Sequence, residues 1–192
     1  MLNARITGIL FFASLAACAD TAPDEGAPRE GGIPPVDSAP AAERADSAII
    51  TLFFSRGEEP TAVTRSVSDT AVGPETALRL LLQGPTPDER HEGVNSWFSA
   101  ATADQLDSLR VAAPGELVVF FGSLDTVIPN ASSSAGSALL LRELNSTIFQ
   151  FSQVRSVEYR MRGSCDAFWN WLQFGCQVVT RADVVGSSTT AQ

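Results

Sequence analysis

The sequence predicts an α+β domain: a small mixed or antiparallel sheet with two helices packed on one face, stapled at its C-terminal extension by a disulfide. Three observations carry this. Apolar, β-branched and aromatic runs at 49–54, 116–121 and 154–161 have the length and composition of strands. Two longer segments, 74–82 and 132–151, place leucines at helical spacing. The resulting order, strand-strand-helix-strand-strand-helix-strand, resolves most simply as helices layered on one face of a sheet.

Each element has its own signal. Ile49-Ile50-Thr51-Leu52-Phe53-Phe54 reads as a buried strand. Ser55-Arg56-Gly57-Glu58-Glu59-Pro60 has turn composition, and Ala62 to Val67 alternates weakly, as a second, more exposed strand would. Gly73-Pro74-Glu75 opens a helix: proline fits the first helical position, and the acid suits the positive end of the dipole. Ala77, Leu78, Leu81 and Leu82 form its apolar stripe. Gln83-Gly84-Pro85 ends it, with glycine for a left-handed cap and proline to block continuation. Thr86-Pro87-Asp88-Glu89-Arg90 follows as a polar turn with a capping start. Leu109 to Val111 and Glu116 to Phe121 predict two strands around Ala112-Ala113-Pro114-Gly115, the second apolar enough to be central. Leu124 to Ile128 is expected to extend that strand or run along the sheet edge. Ser132-Ser133-Ser134 caps the longest helix, expected to reach about Phe151 with Leu140, Leu144, Ile148 and Phe151 on one face. In Val154 to Met161, the side chains of Val157, Tyr159 and Met161 alternate with Glu158, Arg160 and Arg162, the pattern of a half-buried strand.

Composition removes several function classes. The chain of 192 residues carries 13 basic residues, all arginine, and 22 acidic ones, for a net charge of −9. Without a basic block there is little to displace counterions from a phosphate backbone, which argues against nucleic acid as a partner. The lack of lysine excludes Schiff-base and P-loop lysine chemistry. A single histidine, His91, excludes a His-rich metal site, and it lies in the polar stretch Asp88-Glu89-Arg90-His91-Glu92, where it reads as a surface residue. No Gly-x-Ser-x-Gly, His-Glu-x-x-His or phosphate-cradling glycine loop occurs. No catalytic, cofactor-binding or metal-ligating set is therefore assigned. Three cysteines cannot make a closed disulfide framework, so one of them has another use.

That use is read from the N-terminus. Residues 1–5 hold one charge, Arg5, and residues 6–17 hold none. A short basic region followed by this apolar run is a signal peptide, too short for a transmembrane helix of about 20 apolar residues. It ends in Leu15-Ala16-Ala17-Cys18. The four positions resemble the lipobox of bacterial lipoproteins: an aliphatic residue, two small residues, then cysteine. The resemblance implies that residues 1–17 are removed and that Cys18 carries a diacylglycerol and an acylated amine. Two or more acyl chains give stable membrane attachment where one does not. An ordinary secretory signal would leave Cys18 incidental; the position of the motif at the end of the apolar run favours lipidation. Ala19, rather than an aspartate, follows Cys18, which leans towards the outer membrane of a host that has one.

Residues 18–48 then read as the lipidated cysteine and a tether. Residues 19–48 contain five prolines, three glycines, eight alanines and no aromatic residue, with seven acids against two arginines. Such a segment buries too little apolar area to offset its ordering entropy, and disorder is expected. Its length spans roughly 30 Å as a coil and up to about 100 Å stretched. Residues 49–182 read as the folded domain, and 183–192 as a disordered tail.

Within the domain, the pieces Ile50-Thr51-Leu52-Phe53-Phe54 with Arg56-Gly57-Glu58, Pro74-x-x-Ala77-Leu78-x-x-Leu81-Leu82-x-Gly84-Pro85-Thr86, the strand pair around Val111 to Phe120, and Ile148-x-Gln150-Phe151-x-x-Val154-x-x-Val157-x-Tyr159 occur in a set order. Together they resemble the GerMN domain of sporulation and spore-germination proteins, over most of residues 49–163. The corner Leu82-Gln83-Gly84-Pro85-Thr86 is the most specific part. The resemblance implies an exported or lipid-anchored envelope protein. Its domain would be a non-catalytic interaction or assembly module, with a protein or cell-wall partner and no catalytic residues to carry over.

Two features remain. Once Cys18 is lipidated, Cys165 and Cys176 are an even pair outside the cytoplasm, where disulfides persist. A straight helix would hold them roughly 16 Å apart, so a bridge requires the chain to fold back, as a short helix ending at Gly175 would allow. A bridge over so short a loop is expected to add about 2–3 kcal/mol. The spacing is wrong for a Cys-x-x-Cys redox motif. Trp169 and Trp171 crowd this segment with Phe168 and Phe174, and Trp97 precedes Phe98. These rings either plug the end of the core, the commoner use of aromatic residues, or present a platform to a glycan or partner. Trp97, Trp169 and Trp171 are thus the candidate contacts of the other reading, a glycan- or peptidoglycan-binding module or accessory factor of a cell-wall hydrolase.

Overall fold

A computed structural model of the chain describes residues 47–187. The signal, Cys18 and most of the tether lie outside the described residues. The architecture is α+β, as expected, but it is built on two sheets rather than one. Strands β1 (Ser47–Arg56) and β2 (Glu59–Ser68) form an antiparallel hairpin of their own. Its turn is the two residues Gly57 and Glu58, with Gly57 at φ 61°. Helices α1 (Pro74–Leu82) and α2 (Pro87–His91) follow. Proline is the first residue of α1, as the sequence indicates. At α2 the Thr86 side chain accepts from the Glu89 N–H, while the Glu89 carboxylate accepts from the Thr86 N–H.

The second sheet has the order β3-β4-β5-β6. Strands β3 (Leu106–Ala113) and β4 (Glu116–Phe121) are antiparallel, and β4 pairs in parallel with β5 (Ser156–Met161). The parallel pair needs a crossover, supplied by α3 (Leu124–Val127) and α4 (Ser134–Phe149). Leu124 to Ile128 therefore starts this crossover, and the expectation that it extends a strand is corrected. Leu124 is fully buried and the turn closes as one helical turn, with the Ile128 N–H donating to the Leu124 carbonyl. Helix α4 is capped by Ser133, whose Oγ accepts from the Gly136 N–H. Helix α5 (Cys165–Trp171) packs on β5, and β6 (Val178–Thr180) closes the sheet antiparallel to β5.

The chain then continues into α6 (Arg181–Ser187). The helix takes in residues 183–187, the first five of the segment expected to be a disordered tail; residues 188–192 lie outside the described residues. The anchor is Arg181, whose guanidinium donates to the carbonyls of Phe149, Phe151 and Val154 at the end of α4. One side chain thus takes up the Phe149 carbonyl that the helix end leaves open and ties in two carbonyls of the loop that follows.

The core lies between the hairpin, the helices and the inner face of the second sheet. Ile50, Leu52 and Phe54 of β1, Leu78, Leu81 and Leu82 of α1, Leu140, Leu144 and Ile148 of α4, and Val157, Tyr159 and Met161 of β5 are all buried. The period of two in β1 and β5 and the helical period in α1 and α4 are those read from the sequence. Among the described residues, no helix is long and apolar enough to cross a membrane.

Candidate functional site

The hairpin is docked through side chains of one helix. Residues 51, 53 and 55 of β1 send their backbone groups away from β2, the first two towards α4 and the third towards the loop at Asn95. Gln150 completes the first position: its Oε1 accepts from the Thr51 N–H at 3.2 Å and its Nε2 donates to the Thr51 carbonyl at 2.6 Å. Thr147 Oγ1 accepts from the Phe53 N–H at 3.2 Å. Ser55 exchanges both backbone bonds with Asn95, at 3.0 and 2.7 Å. The helix, with one loop residue, stands where a neighbouring strand would stand.

Glu143 lies one turn further along the same helix. Ser55 Oγ donates to its Oε1 at 3.1 Å, and Ser96 Oγ donates to its Oε2 at 2.5 Å. Glu143 and Ser55 are 1% and 0% exposed. Burial pushes the carboxyl up to about 7, against the two serine bonds and the nearby Arg142, which lower it. Sequence reasoning missed this group. The signal was available: Glu143 falls three residues after Leu140 and four before Thr147, on the stripe that faces the core. Enclosed on every side, the carboxyl ties three segments together and meets no open space where a substrate could sit. His91, by contrast, is exposed at the end of α2.

The opposite end of the molecule is the stapled segment. Cys165 and Cys176 are bridged, with Cα atoms 5.4 Å apart. The chain folds back after α5 as required, through Gln173 at φ 68°. Phe168 stacks on Phe121 and lies tilted against Tyr159, with ring centroids 5.8 and 5.2 Å away, and Trp169 meets Phe168 edge-on at 5.5 Å. The Tyr159 hydroxyl donates to Asn145 Oδ1 at 2.8 Å, and burial pushes its pKa up. Of the three tryptophans, Trp169 is fully buried while Trp97 and Trp171 are half-buried. Burial weighs against the platform reading for Trp169, which plugs the core because α5 turns it onto β5 beside Tyr159. Among the described residues, the Nε1 groups of Trp97 and Trp169 have no hydrogen-bond partner. An open cleft of about 720 Å³ lies nearby, with Glu59, Arg142, Asn145, Trp169 and Gln177 among its walls. Among the described residues, no group of three or more His, Cys, Asp or Glu side chains is placed to hold a metal.

No family model matches the sequence, and no curated protein matches it. Solved structures do. The chain aligns with the tandem GerMN domains of the sporulation protein GerM from Bacillus subtilis at a TM-score of 0.50 and 16% identity, over 76% of this chain and 48% of that one. The domain has the GerMN fold. The chain spans about half the length of that tandem structure. It is also similar to the first GerMN domain of GerM, at TM-score 0.42 and 17% identity, over 60% of this chain and 84% of that one. A further likeness is to a candidate lipoprotein from Clostridium perfringens, at TM-score 0.40 and 14% identity, over 73% and 91%.

In this GerMN-like domain, the corner that carried the sequence resemblance is a close backbone crossing. Gly84 sits at φ 75°, and a Cβ there would come within 2.3 Å of the Phe98 carbonyl oxygen. Thr102, fully buried, donates to the Leu82 carbonyl at 2.6 Å and fixes the following loop against the end of α1. The corner thus positions the loop whose Asn95 and Ser96 complete the hairpin seam.

Proposed function

We propose that this is a lipid-anchored envelope protein whose GerMN-like domain is a non-catalytic interaction module, held off the membrane by the acidic segment 18–48. The observation that carries the reading is the fate of the cysteines. Cys165 and Cys176 are bridged, which fits an oxidising compartment, and this leaves Cys18 as the unpaired thiol, at the lipobox position of the signal. The enclosure of Glu143 by Ser55 and Ser96 supports a structural rather than catalytic use of the most perturbed carboxyl in the domain. The partner is an envelope protein or cell-wall component, reached from the outer membrane where the host has one.

The test is fractionation of Cys18→Ala. The wild type is expected in the detergent phase and in the membrane fraction, and the variant in the aqueous phase or as unprocessed precursor. A variant that still partitions with detergent would end the anchor reading. Crosslinking from native membranes then tests the interaction role, and turnover of a cell-wall substrate by the purified chain would replace it with a hydrolase.

A further inference from the structure

Two open sheets have four outer strands, and unpaired strand edges invite association unless they are guarded. Three of the four are guarded here. The outer edge of β1 is occupied by Gln150, Thr147 and Asn95. β6 has three residues and runs directly into α6. β3 is broken by register shifts at both ends, between Leu106 and Ser108 and between Val111 and Ala113, and Arg79 reaches the Leu106 carbonyl. β2 is guarded less: Pro60 stands near its start, and Arg65 reaches the Thr64 carbonyl. It is ten residues long and keeps an unbroken register from Ser47↔Ser68 to Arg56↔Glu59.

The alternation of the hairpin fixes which groups are open. Thr51 and Phe53 turn their backbone groups to α4, so their partners Thr64 and Ala62, and Ser66 opposite Ile49, turn theirs outward. These three side chains are small and exposed. Among the described residues, the only partner on this row of N–H and C=O groups is Arg65, which donates to the Thr64 carbonyl at 3.1 Å. Arg65 is also the only charged residue between Pro60 and Ser68, and Glu89 holds it by two bonds of 2.6 and 2.8 Å.

We propose that β2 is a self-association edge, pairing antiparallel about a two-fold axis with β2 of a second copy of this chain. The charge pattern of the strand suits pairing with its own copy in a register centred on Val63. Centred on Val63, the pairing sets Val63 against Val63, Arg65 against Thr61, Glu59 against Val67, and Ala62 against Thr64. No charge meets its like, whereas centring on Arg65 would oppose two guanidinium groups. The pairing forms about six backbone hydrogen bonds and a continuous four-stranded sheet across both copies. Arg65 releases the Thr64 carbonyl and keeps Glu89. The chain's own tether does not supply this strand, because its prolines cannot donate and its acids lack β-propensity. Edge pairing of one strand buries less than the roughly 1,200 Å² of a stable soluble interface. Confinement of both copies to one membrane raises their effective concentration, so the inference deepens the anchored-module reading and rests on it.

The experiment uses the full chain in lipid vesicles, with membrane flotation and non-reducing electrophoresis read on the same sample. In Val63→Cys the two thiols meet across the axis at a Cα separation of about 4.5 Å, within disulfide range. A disulfide-linked dimer is expected for Val63→Cys and not for Val67→Cys or the wild type. Ala62→Pro, which removes an outward N–H and leaves the β1–β2 ladder intact, is expected to abolish the Val63→Cys dimer without changing the circular dichroism spectrum. Equal crosslinking of Val67→Cys, or a dimer that survives Ala62→Pro, overturns the pairing. A Val63→Cys chain that floats with vesicles but stays monomeric overturns it and leaves the anchor standing. Failure to reach the vesicles overturns the anchor and the pairing that depends on it. Loss of a different protein's crosslinks in Ala62→Pro, with no self-dimer, assigns the edge to that protein instead.

Discussion

The two sheets of this domain are held in different ways. The four-stranded sheet is secured by a backbone ladder on both sides of β4 and β5, and by an aromatic stack of Phe121, Tyr159, Phe168 and Trp169 closed off by the Cys165–Cys176 bridge. The hairpin shares the apolar core on its inner face, but its docking edge is satisfied by Gln150, Thr147 and Ser55–Asn95, with Glu143 alongside. Apolar burial is non-directional and tolerates small shifts. Polar docking fixes register and orientation, and it fails by leaving backbone groups unpaired. The first sheet is therefore placed by specific hydrogen bonds, and the second by packing.

The largest effect is expected where packing dominates. Trp169→Ala opens a cavity at the end of the core and should cost about 3–5 kcal/mol. Trp169→Phe should cost much less, because it keeps the ring and removes an indole N–H that has no partner. Chemical denaturation of the three proteins checks the order. If Trp169→Ala cost no more than Trp169→Phe, the stack would not be what secures this half.

Gly84→Ala comes next. It combines a left-handed backbone with a contact of 2.3 Å to the Phe98 carbonyl, and about 2–4 kcal/mol is expected. Because the loop beyond Phe98 cannot yield without moving Ser96, hydrogen exchange should also rise at Ser55 and Asn95. Exchange confined to α1 would show that the corner and the seam are independent.

Gln150→Ala probes polar docking directly. It leaves both the N–H and the carbonyl of Thr51 without their α4 partner, a cost of about 1–3 kcal/mol. The signature is local: amide exchange at Thr51 and Phe53 should accelerate while Val119 and Val157 stay protected. Uniform acceleration would mean that the hairpin and the sheet unfold together and that the comparison has no dynamic counterpart.

This division also explains what could be read from the sequence. Helix α1, its glycine corner, β4, the face of α4 and the return of the chain between Cys165 and Cys176 are all set by neighbours within a few turns, so period and punctuation reveal them. The split into two sheets is not local. It depends on β1 finding α4 almost a hundred residues away, through Gln150 and Thr147, side chains that look like ordinary polar positions on a helix. Glu143 was hidden for the same reason, since a glutamate on an apolar stripe has no meaning until Ser55 and Ser96 are placed beside it. Most of helix α6 reads as tail in the sequence because it lacks a stripe, while Arg181 reaches back to the end of α4 and Val184 packs against the core.

Glu143 gives the smallest effect at pH 5, and one whose sign separates the two halves. Its carboxyl is raised to about 7 from an ordinary 4.5, first by burial. A raised carboxyl binds its proton more tightly in the folded chain. It therefore contributes stability that is complete below about 4.5 and is lost as pH rises through about 7. Between those values the unfolding free energy should fall by up to about 1.4 kcal/mol per pH unit from this group. Glu143→Gln keeps an acceptor for Ser55 and removes the titration. The variant should match or fall slightly below the wild type at pH 5, show a flatter profile to pH 8, and be the more stable of the two at the upper end. Exchange at Ser55 and Asn95 should follow the same pH curve in the wild type, while the aromatic stack stays insensitive. A wild-type profile as flat as that of Glu143→Gln would mean that the carboxyl keeps enough water to ionise in place, and that the seam is held by Gln150 and Thr147 alone.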